Sequence, residues 1–412
     1  MNKNINWSGI EFDIDDKAII LEVCNELYGR IANNDTIGKS NDLTLANGIS
    51  GILLYLCELY IVTGIDTREV IYKYLKKSQH VINHYINDYS LYTGITGLNY
   101  VVNLIHKATG DYSFLLKQLD SLYIKNYKAY LLDQKGGKNN CSDYDIISGN
   151  AGVIRYALSR YEDNDNMLSI LYDQMNCICD VYERKWAKLI SFNATLDVEN
   201  VVDLGMAHGI SGIISILALI KSKQLADERS TEILNDLMNW VCFLKESEIK
   251  DSLWPSKINV QNGRVEIMNS KYRRAAWCYG SPGVATSLYM AGVAMNSAKI
   301  RQEANNIMKD VYNSSMNSWL ITSPMICHGF SGILNIVYRL QEFEFKNDIS
   351  HRIIKRILKM VDYDKEFCFL NIDMNKVNDS AGFLMGSCGI ALTLLSSISE
   401  TEPTWDQVLL IS

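Results

Sequence analysis

Met206-Ala207-His208-Gly209-Ile210-Ser211-Gly212, followed by the apolar run Ile213 to Ile220, is the stretch on which the fold is read. Its Gly-x-x-Gly core recurs at Gly48/Gly51, Gly94/Gly97, Gly149/Gly152, Gly280/Gly283, Gly329/Gly332 and Gly386/Gly389, seven pairs in all. Random placement of 25 glycines in 412 residues gives roughly 1.5 such pairs, so the spacing marks an internal repeat. The first glycines fall 46 to 71 residues apart, a loose period suited to two helices and their connections.

Each pair opens an apolar segment, among them Ile52 to Leu56, Val153 to Leu158, Val284 to Ala291 and Ile390 to Leu395. Helices apolar on most faces belong inside a structure. The stretches between, such as Arg68 to Asn87 and Lys299 to Asn313, alternate charged and apolar residues at helical spacing and suit an outer layer. The fold implied is all-α: an α/α toroid of seven inner and seven outer helices, formed by a single domain over residues 1–412. Only four prolines interrupt it. Lys185 to Leu204 and Asp251 to Tyr272 break the pattern with alternating and turn residues (Ile190-Ser191-Phe192, Ile258-Asn259-Val260, Asn262-Gly263-Arg264-Val265). They read as inserted strands that could dock a peptide, or as long loops.

A composition 48% hydrophobic and 21% charged is that of a globular protein with ample core. The net charge of −7, with no basic run longer than Lys76-Lys77 or Arg273-Arg274, argues against nucleic acid as a partner. Met1 to Asp16 lacks an apolar core, so the expectation is a cytoplasmic chain with no membrane span. Ten scattered cysteines read as reduced thiols, mostly small core residues.

Residues just before each first glycine should occupy equivalent places at one end of the toroid. Two positions ahead stand Ala46, Tyr92, Ile147, Ala207, Cys278, Cys327 and Leu384; one ahead stand Asn47, Thr93, Ser148, His208, Tyr279, His328 and Met385. Of six histidines only His208 and His328 hold a ring position; His80, His84, His106 and His351 fall in outer or connecting segments. Cys278 and Cys327 share one offset in successive repeats, and His328 follows Cys327. Two thiolates and an imidazole fit Zn²⁺ with a fourth position open, the catalytic pattern. A closed site with His208 as fourth ligand is the rival, and buried core thiols are the bland alternative. With two protein thiolates on the ion, a further thiol held there is deprotonated yet electron-rich, which points to thiol alkylation; water or carbonyl activation suits a more cationic zinc.

Trp277-Cys278-Tyr279-Gly280-Ser281-Pro282-Gly283, Ile326-Cys327-His328-Gly329, Met206 to Gly212 and Tyr144-Asp145-Ile146-Ile147-Ser148-Gly149 resemble the lanthionine synthetase C-like family. The likeness runs from Leu43-Thr44-Leu45 to Trp405 to Leu410, and the free-standing chain looks like a class I lantibiotic cyclase. The resemblance implies addition of a precursor peptide's cysteine thiol across dehydroalanine or dehydrobutyrine, giving lanthionine and methyllanthionine. It places zinc on Cys278, Cys327 and His328, the acid/base role on His208, its orienting carboxylate on Asp145, and further active-site positions on Arg274 and Tyr279. The partners implied are the precursor with its leader, a dehydratase and an ABC-type transporter that would hold the complex at the membrane. On chemical grounds, Arg274 and His208 would stabilise and protonate the enolate that thiolate attack creates. The bland counterparts are an ion pair for Arg274, a helix cap for Asp145 and packing for Tyr279. A glutathione- or peptide-thiol-binding scaffold on the same toroid is the main alternative. A glycosidase or terpenoid cyclase needs a carboxylate pair or an aspartate-rich motif that does not accompany these repeats.

Overall fold

The computed structural model describes residues 4–35, 37, 42–134, 144–190, 201–249, 251, 253–261, 264–268, 273–373 and 376–412. Its helices are α1 (Ile14–Asn33), α2 (Ile49–Thr63), α3 (Arg68–Ser78), α4 (Thr96–Thr109), α5 (Ser113–Gln134), α6 (Asn150–Arg160), α7 (Asp165–Lys185), the short α8 (Ala187–Ile190), α9 (Ile210–Ser222), α10 (Glu228–Ser247), α11 (Ser281–Ala294), α12 (Ala298–Asn313), α13 (Phe330–Arg339), α14 (Lys346–Leu358) and α15 (Ser387–Ile398). The all-α reading is borne out. Every Gly-x-x-Gly pair opens a helix, and these seven (α2, α4, α6, α9, α11, α13, α15) alternate along the chain with α1, α3, α5, α7, α10, α12 and α14.

The two sets differ in what they bury. In α2 every residue from Ile49 to Leu59 is buried, and in α9 nearly every one from Ile210 to Ile220, as inner helices require. In α12 burial is confined to Ile300, Ala304, Ile307, Met308 and Val311, a single stripe at three and four spacing that leaves the opposite face wet. Caps fix the ends: the Ser297 side chain accepts from the Ile300 N–H at the start of α12, and Gly64 (φ 73°) and Gly110 (φ 79°) end α2 and α4 in the left-handed conformation.

The chain divides into two compact units, one of residues 1–138 with 322–406 and the other of residues 139–321 with 407–412. In the first, the inner layer runs α13, α15, α2, α4, with α14, α1, α3 and α5 outside. The last repeat thus packs on the first. In the second, α6, α9 and α11 lie inside and α7, α10 and α12 outside.

Why the glycines recur is visible in the loops. Ahead of the pairs at Gly48, Gly94, Gly329 and Gly386 the chain turns so that the N–H after the first glycine reaches back to a carbonyl seven residues earlier: Ile49 to Asp42 (2.9 Å), Ile95 to Asp88 (2.8 Å), Phe330 to Ser323 (3.0 Å) and Ser387 to Ser380 (2.9 Å). The second glycine admits a neighbouring repeat. A Cβ on Gly97 would stand 2.7 Å from Leu45 Cβ and 2.5 Å from the Leu91 carbonyl; one on Gly51 would stand 2.7 Å from Phe383 Cβ. Successive loops then join by backbone hydrogen bonds at matched offsets, Ala46 N–H to Tyr92 (3.2 Å), Cys327 to Leu384 (3.0 Å) and Leu384 to Ala46 (2.8 Å) in the first unit, Ala207 to Cys278 (3.3 Å) in the second. Within each unit, equal offset means equal place.

Strands are few. β1 (Asn4–Ile5) pairs with β2 (Glu11–Phe12). β3 (Val201–Asp203), β4 (Lys257–Gln261) and β5 (Arg264–Ile267) form an antiparallel sheet with Val202 opposite Ile258 and Val260 opposite Val265. β6 (Asn371–Asp373) pairs with β7 (Lys376–Asn378). The sheet uses Ile258-Asn259-Val260 as expected. Ile190, expected in a strand, instead ends α8, which continues α7 past buried Trp186; Ser191, Phe192, Asn262 and Gly263 lie outside the described residues. Cys141 does too, and no disulfide joins the cysteines among the described residues. No helix among the described residues is long and apolar enough to cross a membrane.

Candidate active site

In the second unit, the loops ahead of α6, α9 and α11 bring Asp145, His208, Cys278 and Tyr279 to neighbouring places. The Cys278 carbonyl accepts from Met206 (2.9 Å) and Ala207 (3.3 Å), while the Ala207 carbonyl accepts from Ile146 (3.2 Å). These main-chain bonds set the loop of His208 between the other two.

Asp145 is buried and divides its two oxygens between two tasks. Oδ1 accepts from the Ser148 and Gly149 N–H groups (2.7 and 2.9 Å), closing the turn into α6. Oδ2 lies 2.7 Å from His208 Nδ1. Asp145 is not the N-cap of α6, which is Gly149 without a side-chain cap; its carboxylate closes the turn before the helix with one oxygen and meets the imidazole with the other. With Nδ1–H donated to the carboxylate, Nε2 is the nitrogen left to take or give a proton. The hydrogen bond to Asp145 raises the His208 pKa above its ordinary value; burial opposes this, and the charges of Asp145, Asp203 and Cys278 add to the rise. The His208 side chain remains 44% exposed, so its imidazole is open to a ligand.

Cys278 is buried, and its segment is pinned on both sides. Ala275 N–H donates to the Trp319 carbonyl (2.9 Å) and Trp277 Nε1–H to the Leu409 carbonyl (3.0 Å). Gly280 has φ 118°, in the region favouring glycine, and a Cβ there would stand 1.7 Å from the Arg274 carbonyl. That turn carries Arg274, half-buried, and Tyr279 past the start of α11. The Tyr279 ring sits 6.3 Å from His208 between centroids, tilted by 34°.

In the first unit, Cys327 and His328 precede α13. Both are partly buried, and the Cys sulfur and a His nitrogen lie within 4.8 Å of each other, close enough to share one ion. The remaining histidines stand apart from these loops: His84 in a 3₁₀ turn, His106 on α4 with Nδ1 2.7 Å from the Asp111 carbonyl, His351 on α14. Cys388 is a core thiol, wholly buried, its pKa pushed far up by that burial.

One residue escapes the sequence reading. Asp203, last in β3, is mostly buried; burial raises its pKa, against the lowering pull of the Gly205 N–H, Lys257, His208 and the Tyr279 hydroxyl. The signal that could have found it is its position six before Gly209, which Asp42 and Asp88 share in their own repeats.

A family model described as lanthionine synthetase C-like protein matches residues 39–410. The nisin biosynthesis protein NisC of Lactococcus lactis subsp. lactis is 26% identical over 400 residues, covering 90% of this chain and 89% of that protein. A solved structure of nisin cyclase superposes with a TM-score of 0.69 at 21% identity, covering 97% of this chain and 98% of the other. That superposition speaks for a shared fold.

Proposed function

Because the chain belongs to the lanthionine synthetase C-like family, we propose that it is a lantibiotic cyclase that closes lanthionine and methyllanthionine rings in a dehydrated precursor peptide. The observation that carries this reading is the His208–Asp145 pair held beside Cys278 in a chain that matches the family along nearly its whole length. The substrate must already contain dehydroalanine or dehydrobutyrine, so a dehydratase acts before this enzyme; an exporting transporter would act after it.

The reaction adds S–H across a carbon–carbon double bond. The peptide sulfur bonds to Cβ, the π pair moves onto Cα and its carbonyl as an enolate, and Cα takes a proton; no atom is lost. Cys278, Cys327 and His328 are the residues that would hold a zinc ion, and the donor set suits it, with two sulfurs and an imidazole and a fourth position left for substrate. Zinc bound there would keep the peptide thiol deprotonated yet, between two other thiolates, electron-rich. His208, its Nδ1 tied to Asp145, presents Nε2 to receive the thiol proton and return one to Cα. A pKa raised by Asp145 makes the imidazole a better proton acceptor from the thiol. Arg274 supplies a fixed positive charge for the enolate, and Tyr279 borders the imidazole.

The test is turnover on a dehydrated precursor. Ring closure leaves mass unchanged, so products are read by treating the peptide with a thiol-alkylating reagent: each ring removes one adduct. The expected result is catalytic loss of adducts from substrate in large excess. Adducts lost only in proportion to enzyme, or not at all, would turn the reading to a thiol-binding scaffold.

A further inference from the structure

We infer that Asp203 is a positioning residue of this site, holding the Tyr279 hydroxyl and so fixing the Tyr279 ring beside His208. The inference deepens the cyclase reading and rests on it.

Four repeats carry an aspartate six residues ahead of their first glycine, Asp42, Asp88, Asp143 and Asp203; Asp143 lies outside the described residues, and the other three each make the same turn. Oδ1 accepts from the N–H two residues on: Thr44 to Asp42 (2.8 Å), Ser90 to Asp88 (2.9 Å), Gly205 to Asp203 (2.9 Å). That task needs one oxygen. The second oxygen of Asp88 takes its own loop's Thr93 hydroxyl at 3.2 Å. Asp203 instead reaches outside its loop, with Oδ2 3.9 Å from Lys257 Nζ and its carboxylate accepting from the Tyr279 hydroxyl. Its carboxylate thus serves both a turn and the Tyr279 side chain.

The loop is also shaped for Tyr279. Where the other two turns place Thr44 and Ser90, this one has Gly205, whose φ is not in the left-handed region. What excludes a side chain there is the neighbouring loop: a Cβ on Gly205 would stand 2.5 Å from Tyr279 Cδ1 and 2.5 Å from the Cys278 carbonyl. The Tyr279 ring lies across that bare backbone, its hydroxyl held at Asp203. Because Asp203 ends β3 and pairs with Lys257 in β4, the contact also ties the three-stranded sheet to the site.

Asp203→Asn is the discriminating variant, because an amide oxygen still closes the turn while an amide N–H now faces the tyrosine hydroxyl. Cyclisation kcat is expected to fall about ten-fold, the scale of a lost hydrogen bond to a charged acceptor, with KM little changed and the thermal midpoint unmoved. In a Tyr279→Phe background the same substitution should change nothing further. In the resting enzyme the ¹³Cζ signal of labelled Tyr279 should shift in Asp203→Asn, a readout that needs no turnover. An equal loss of kcat in both backgrounds, a wild-type rate in Asp203→Asn, or an unmoved Tyr279 signal overturns the inference. Failure of the cyclase reading is distinguishable, since it appears in the wild type as no ring closed.

Discussion

At the residue scale, the proposed proton chemistry rests on His208 and on its hydrogen bond to Asp145. The hydrogen bond to Asp145 raises the His208 pKa above the ordinary 6.5, so the pair stabilises the fold fully below that value and the contribution is lost as pH rises through the raised one. Asp145→Asn should therefore move the His208 titration downward, read from its imidazole carbon proton by NMR, and move the alkaline fall of kcat down with it. His208→Ala should slow cyclisation roughly 10²- to 10⁴-fold, the range for a positioned acid or base, with the fold intact by circular dichroism. Ring offset alone singled out His208, Cys278, Cys327 and His328 from the sequence. Asp145, Arg274 and Tyr279 came through family resemblance, because nothing in the spacing distinguishes Asp145 from any capping carboxylate. Asp203 went unseen for a related reason: its position matches Asp42 and Asp88, and a turn aspartate gives no sign in sequence of where its second oxygen points.

At the element scale, the glycine pairs made the helices legible, since each pair marks where one repeat's loop must approach the next within van der Waals distance of bare backbone. This makes the glycines unequal in a way that can be measured. Gly64 caps α2 at φ 73° with open space around it, so Gly64→Ala should cost about 1 kcal/mol in urea unfolding. Gly280→Ala adds a collision with the Arg274 carbonyl to an unfavourable φ of 118° and should cost well over 3 kcal/mol, beyond backbone strain alone; equal midpoints for the two variants would contradict this account of the turn. The strands were less legible. Alternation at Ile258-Asn259-Val260 identified β4, but Ile190, read in the same way, ends a helix, where buried Trp186 and Leu189 carry the packing of α7 one turn further.

At the scale of the whole molecule, seven hairpins could be counted in the sequence because burial and repeat coincide, whereas the division into two compact units could not, since a local period reports only on adjacent repeats. Burying inner helices on every side has a cost that the sequence hides among apolar residues. Glu58 of α2 is 4% exposed, and burial, with the charge of Asp406, pushes its carboxyl up to about 8. The unfolded chain releases this proton near pH 4.5 and the folded chain near pH 8, so stability falls between those values as pH rises. Glu58→Gln should unfold at a higher temperature than wild type at pH 8, and the difference should shrink toward pH 5 in differential scanning calorimetry. The zinc proposal assigns the ion to Cys278, Cys327 and His328, open to substrate, while His208 acts on the proton. Its most direct test is elemental zinc analysis of the wild type, Cys278→Ala, His328→Ala and His208→Ala, alongside ring closure on the same samples. One zinc per chain, retained in His208→Ala without activity and lost in the other two variants, is the expected result; loss of zinc from His208→Ala as well would make the site closed and structural, and contradict the proposal.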